Sequence, residues 1–182
     1  GTRGSANTSF NINYNSSKFD AYANVGYRHR SNDGRSESNQ IFTNTNEYQR
    51  YKGTSKNTGN NLFARAGLTW HATDKDDFSF NGMMMIGAGK NSSGIPYHYG
   101  TLGNATDSRV MFRSTRSEND MRMFYGEFNY RHNFSDKHFL DFTVDANKWK
   151  SDNDNLYQDS TTYYSEERPT EYDYQYRPMY MN

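Results

Sequence analysis

The residues able to do chemistry in this 182-residue chain are few and scattered. Five histidines (His29, His71, His98, His132 and His138) show no His-x-x-x-His spacing, and with no cysteine there is no thiolate to complete a zinc site or act as a nucleophile. Asp152-Asn153-Asp154-Asn155 offers the oxygens of a calcium loop without its turning glycine or its closing glutamate, so a solvated segment accounts for it. Asp141 and Asp145 would share one face of a strand, as a general acid and base could, but two carboxylates on a wet face need no catalytic explanation. No Gly-x-Ser-x-Gly elbow or phosphate loop occurs. The expectation is no catalysis, no resident metal and no cofactor. A binding constellation remains: Tyr97, His98 and Tyr99, with Trp149, combine flat rings with hydrogen-bonding tips suited to a sugar or a peptide. Packing of the segments that carry them is the competing explanation.

Strands have to position these residues. From Leu62 to Ala72, Leu62, Ala64, Ala66, Leu68 and Trp70 fall on one face and Phe63, Arg65, Gly67, Thr69 and His71 on the other, the period-two signature of a strand. After a polar turn at 73–77, Phe78, Phe80, Gly82, Met84, Ile86 and Ala88 continue the apolar face, so that of Met83, Met84 and Met85 only Met84 points with the apolar residues. Each arm has 11 residues; strands of soluble domains usually have about 5–6, and a tilted strand crossing a bilayer needs about 9–11. The same unit recurs at 8–14 and 19–28, joined by 15–18, and at 121–134 and 140–147, joined by 135–137. A last strand begins with Tyr172, Tyr174 and Tyr176. Met121, Met123 and Tyr125 have the wrong parity for their strand, and a β-bulge is expected there to reset it.

Composition fits such a sheet. Mean hydropathy is −1.17 and 32% of residues are hydrophobic, poor for a globular core, yet 16% are aromatic, which disordered chains avoid. A barrel with an apolar outside and a wet inside reconciles the two. The 21 basic and 21 acidic residues cancel, which leaves no basic excess to hold a nucleic acid backbone. No apolar run is long enough for a spanning helix.

Connections alternate between short and long. The polar stretches at about 30–60, 90–120 and 151–169 are expected to be long outer loops facing short turns at the other end, an up-and-down meander. Trp149 is expected at the outer end of its strand. Aromatics bracket each short turn, Tyr14 and Phe19, Trp70 and Phe78, Phe134 and Phe139, as a girdle at a membrane interface would.

The run from Gly4 to Arg30, with Asn11 to Tyr14, Lys18-Phe19 and Gly26-Tyr27-Arg28, resembles the first barrel hairpins of outer-membrane β-barrel proteins related to TonB-dependent receptors. Beyond residue 30 the resemblance is one of hairpin rhythm. It implies a barrel of about 22 strands around a plug, with uptake energised through TonB. Residues 1–182 are then expected to be one segment of an outer-membrane barrel domain, truncated at both ends and lacking the plug. Its partners would be outer-membrane lipid, the plug and remaining strands of the same protein, the TonB system and a nutrient such as a glycan, a peptide or a siderophore-like ligand. The fold class is all-β, an antiparallel meander of about seven long strands. The alternative function is a structural or adhesive surface barrel that transports nothing.

Overall fold

The computed structural model describes residues 3–165 and 167–181. They form one open sheet of seven antiparallel strands in sequence order: β1 (Arg3–Asn15), β2 (Phe19–Phe42), β3 (Glu47–His71), β4 (Asp76–Thr101), β5 (Arg109–Ser135), β6 (His138–Tyr163) and β7 (Glu171–Met181). This is the all-β up-and-down meander that the alternation implies.

The strands are far longer than expected. β2 to β6 have 24 to 27 residues each, about 80–90 Å at about 3.3 Å per residue. The polar stretches read as outer loops are therefore mostly the far halves of strands, and the connections at that end shrink to 43–46, 102–108 and 164–170. These halves carry Ser, Asn, Thr and Gly on both faces, so no apolar alternation marks them. They stay extended because each inner strand has a ladder neighbour on either side to take its backbone hydrogen bonds. At the tips Asn46 (φ 59°) and Gly103 (φ 93°) supply the left-handed conformations that turn the chain.

The short turns are built as the sequence suggests. Ser16 Oγ accepts from the Phe19 amide at 3.0 Å, and Thr73 Oγ1 accepts from the Lys75 and Asp76 amides at 3.1 Å each. Within β5 no bulge occurs at Met121: the register with β4 runs unbroken from Tyr99↔Arg109 to Asp76↔His132, and the irregularity against β6 lies at Asn133/Ser135, beside the turn. Met121, Met123 and Tyr125 therefore stand on the polar face.

The sheet has no core. Among the described residues no hydrophobic side chain is buried, and Phe80, Phe124 and Leu68 on the apolar face are 52%, 44% and 41% exposed. Met83, Met85 and Glu127 on the polar face are half-buried, as are Met84 and Ile86 on the other. Near the short turns, register lines up an aromatic row on the apolar face: Phe19 and Trp70 at 6.5 Å between centroids, Trp70 and Phe78 at 5.6 Å, Phe78 and Tyr130 at 4.9 Å. Phe139 is not in it; paired with Asn133, it lies on the polar face with the Arg131 guanidinium 4.8 Å from its ring centre.

If the far halves are strands, amide hydrogens at 30–42 and 47–60 exchange at least tenfold more slowly than those at 43–46, measured by mass spectrometry. Uniform fast exchange across 30–60 would restore the loop.

Candidate functional site

Tyr97, His98 and Tyr99 lie within β4, in its last turnward stretch, and strand alternation divides them. Tyr97 sits between Tyr51 and Met111, and Tyr99 between Gln49 and Arg109, both on the polar face; His98 sits between Arg50 and Val110 on the other face. Trp149 also differs from expectation. It lies mid-strand in β6 opposite Met123, on the polar face, 14 residues along the strand from Tyr163, or about 46 Å. The structure thus brings Tyr97 and Tyr99 together and leaves His98 and Trp149 apart from them.

Cross-strand neighbours complete the polar-face cluster. The Tyr51 and Tyr97 rings are 5.1 Å apart, the Arg109 guanidinium lies 4.4 Å from the Tyr99 ring centre, and Arg168 lies 4.9 Å from that of Tyr163, which pairs with Arg109. A pocket of about 290 Å³ opens here, lined by Phe42, Glu47, Tyr99, Arg109, Tyr163 and Arg168 among others. A larger depression of about 860 Å³ lies lower, lined by Asp33, Arg35, Lys56, Gly94 and Ser114 among others, residues that alternation puts on the face of His98; no ring lines it. Sequence reasoning missed Tyr51, Arg109, Tyr163 and Arg168 because only the register, set by residues tens of positions away, makes them neighbours of Tyr97 and Tyr99.

On the opposite face His98 serves a clasp. Asp107, in the 102–108 connection, accepts from Tyr48 Oη at 2.6 Å and Arg50 Nη2 at 3.0 Å and bonds His98 Nδ1 at 2.6 Å. Tyr48 reaches it by crossing Gly100, where a Cβ would fall on the phenol ring. Burial opposes ionisation of Asp107, but the bonds from Tyr48 and His98 and the charge of Arg50 outweigh it, and its carboxyl is held below the usual range. The bond to Asp107 raises the Tyr48 phenol.

The other candidate groups are committed elsewhere. Asp141 forms a bidentate pair with Arg131 at 2.8 and 2.7 Å, which commits one of the two carboxylates on that strand face to an ion pair. His71 bridges Asp77 at 2.7 Å and Asp20 at 3.0 Å, and His132 bonds Asp76 at 2.6 Å. Asp152 to Asn155 lie in β6, so their side chains alternate between faces and cannot wrap one cation.

No family profile matches the chain, and no curated protein does. A similar solved structure is the crystal structure of BauA, the ferric preacinetobactin receptor from Acinetobacter baumannii, at 10% identity and a TM-score of 0.39, over 87% of this chain. The match spans 30% of that receptor's length.

The clasp sets a pH dependence. Its carboxyl is lower in the folded chain than the ordinary 3.8, so it adds stability that is complete above about pH 4 and is lost as the pH falls through the lowered value. Limited proteolysis of 102–108 should be slow at pH 7 and accelerate toward pH 2 in the native protein, whereas Asp107→Ala is cut quickly throughout. Equal cleavage of the two at pH 7 would show that Asp107 does not hold the connection.

Proposed function

We propose that the chain is part of the wall of an outer-membrane receptor that takes a nutrient from outside, with binding and passage rather than catalysis as its role. The observation that carries the reading is the ring-and-guanidinium cluster around Tyr97, Tyr99, Arg109 and Tyr163, on the polar face at the end of the sheet away from the short turns. In a barrel closed around the polar face, that face is the lumen. With the short turns inside, the cluster stands where a ligand arriving from outside first meets the wall.

The apolar face supports the membrane part of the proposal. Phe78 to Ala88 is 11 residues, about 35 Å along the strand and about 25 Å in height at a tilt of about 45°, the thickness of the apolar band of such barrels. The aromatic row Phe19, Trp70, Phe78 and Tyr130 then lies at the inner interface, where amphipathic rings concentrate, with Tyr130 Oη turned to Asp76 at 2.8 Å. Lipid, a plug, further strands and TonB-type energy are the partners this reading requires. The clustered rings and arginines suit a sugar or peptide that carries an anionic group.

Paired substitution of Tyr99 and Arg109 by alanine tests the site. Arg109 is exposed, Tyr99 is half-buried, and removing both takes away their mutual contact while leaving the backbone ladder intact, so assembly in the membrane should be unchanged and ligand uptake should weaken about tenfold or more, about 1.4 kcal/mol. Uptake at the native level in assembled protein would remove the cluster from the pathway. It would favour instead a structural or adhesive role for a wall that projects far past the apolar band.

A further inference from the structure

The polar face carries an apolar residue type that the other face nearly lacks. Seven of the eight methionines stand on it, Met84 being the exception. Six of the seven form Met-x-Met dyads: Met83/Met85 on β4, Met121/Met123 on β5 and Met179/Met181 on β7. Residues two apart on a strand point the same way, so each dyad presents two thioethers to one side. The unbroken β4–β5 register then sets Met85 directly opposite Met123, with Met83 opposite Tyr125 and Met121 opposite Gly87 on either side. Directly opposed side chains have Cβ atoms about 4.5–5.5 Å apart and diagonal ones about 7–8 Å, so the flexible thioethers of Met85, Met121 and Met123 can converge, whereas Met83 stands four positions from Met121 across the ladder, about 13 Å along the strand. Gly87 makes room: the Met121 methyl is 3.8 Å from where a Cβ on that glycine would be.

Apolar bulk alone does not explain the choice. The apolar face takes its aliphatic side chains from Leu, Ile, Val and Ala, as at Leu62, Ile86 and Val144. In the strands of the polar face the one such residue is Ile95, and methionine stands everywhere else that an aliphatic side chain occurs. What methionine has and leucine lacks is a sulfur lone pair, a soft donor that selects Cu(I) over harder cations. The surroundings agree. The nearest charged groups on this face are occupied, Glu127 by Tyr125 at 2.7 Å and Asn81 at 3.0 Å, and Arg65 against the Tyr22 ring at 5.3 Å. Trp149, opposite Met123, adds a ring face that attracts a cation.

We propose that Met85, Met121 and Met123 form a thioether site for a soft monovalent cation of the Cu(I) type on the polar face of the sheet. The site depends on the strand register and not on the receptor role, so either can fail without the other.

Silver ion, which has the same softness and no redox chemistry, is the probe. The protein purified from membranes in detergent is titrated with Ag(I) in chloride-free buffer by calorimetry. Saturable binding is expected, weakened at least tenfold in Met85→Leu/Met123→Leu, which keeps the apolar volume and removes two sulfurs. Met84→Leu, on the opposite face, should bind as the native protein does. If the double variant does not assemble, Met121→Leu alone is read in its place and should weaken binding measurably. No saturable binding, equal binding in the sulfur-depleted variant, or equal loss in Met84→Leu would overturn the proposal and leave the methionines as an apolar contact surface.

Discussion

Everything in this molecule depends on the strand register staying in phase. Across six pairings, from Arg3↔Asn32 at one edge to Ser151↔Met181 at the other, the one register shift among the described residues falls at Asn133/Ser135 next to a short turn, and the gap between Tyr51↔Tyr97 and Thr54↔Gly94 keeps phase. A slip of a single residue would exchange the two faces of a strand. Because none occurs within the long runs, parity near the short turns dictates parity 20 residues further out. The apolar rows, the tyrosine and arginine cluster and the methionine dyads are all consequences of that phase.

A single-layer sheet with no buried hydrophobic residue would have no reason to persist in water, since one apolar face needs a cover. The backbone ladder and lateral side-chain pairs, such as Arg113 on Asp159 at 2.9 and 2.6 Å, hold neighbouring strands together but cover neither face. On the polar face, hydrogen bonds from Tyr22 through Asn81 to Glu127 and Tyr125 link β2, β4 and β5 across β3 and make a wet surface self-sufficient. On the other face Phe78, Phe80 and Met84 stand opposite Tyr130, Phe128 and Phe124, and the first charged side chains beside them are Arg122, opposite Ile86, and Lys148, opposite Phe124. The two faces therefore ask for different solvents, which the proposed bilayer wall around an aqueous interior would provide.

Much of this was legible in the chain, for physical reasons that also explain what was not. The near halves announce themselves because one face is apolar and the other wet, and Ser16 and Thr73 mark their turns. The far halves of β2 to β6 are polar on both sides, so hydrophobic periodicity is silent although the ladder continues. The split of Tyr97 and Tyr99 from His98 follows from alternation once the segment is known to be a strand; read as a loop, the three looked like one group. Met121 and Met123 invited a bulge because an apolar residue on a polar face looked like an error of phase. The register shows no such error, and the anomaly belongs to the face itself. Trp149 lies mid-strand because the polar stretch after it, silent in hydrophobic periodicity, continues β6 to Tyr163.

The chain's two tryptophans lie on opposite faces, Trp70 in the aromatic row and Trp149 beside Met123, which makes the central claim directly measurable. In bilayers containing lipids brominated along their acyl chains, fluorescence of Trp70 in the Trp149→Phe protein should be strongly quenched. Fluorescence of Trp149 in the Trp70→Phe protein should be nearly untouched by those lipids. Equal quenching of the two, or quenching of Trp149 alone, would contradict a lipid-facing apolar wall.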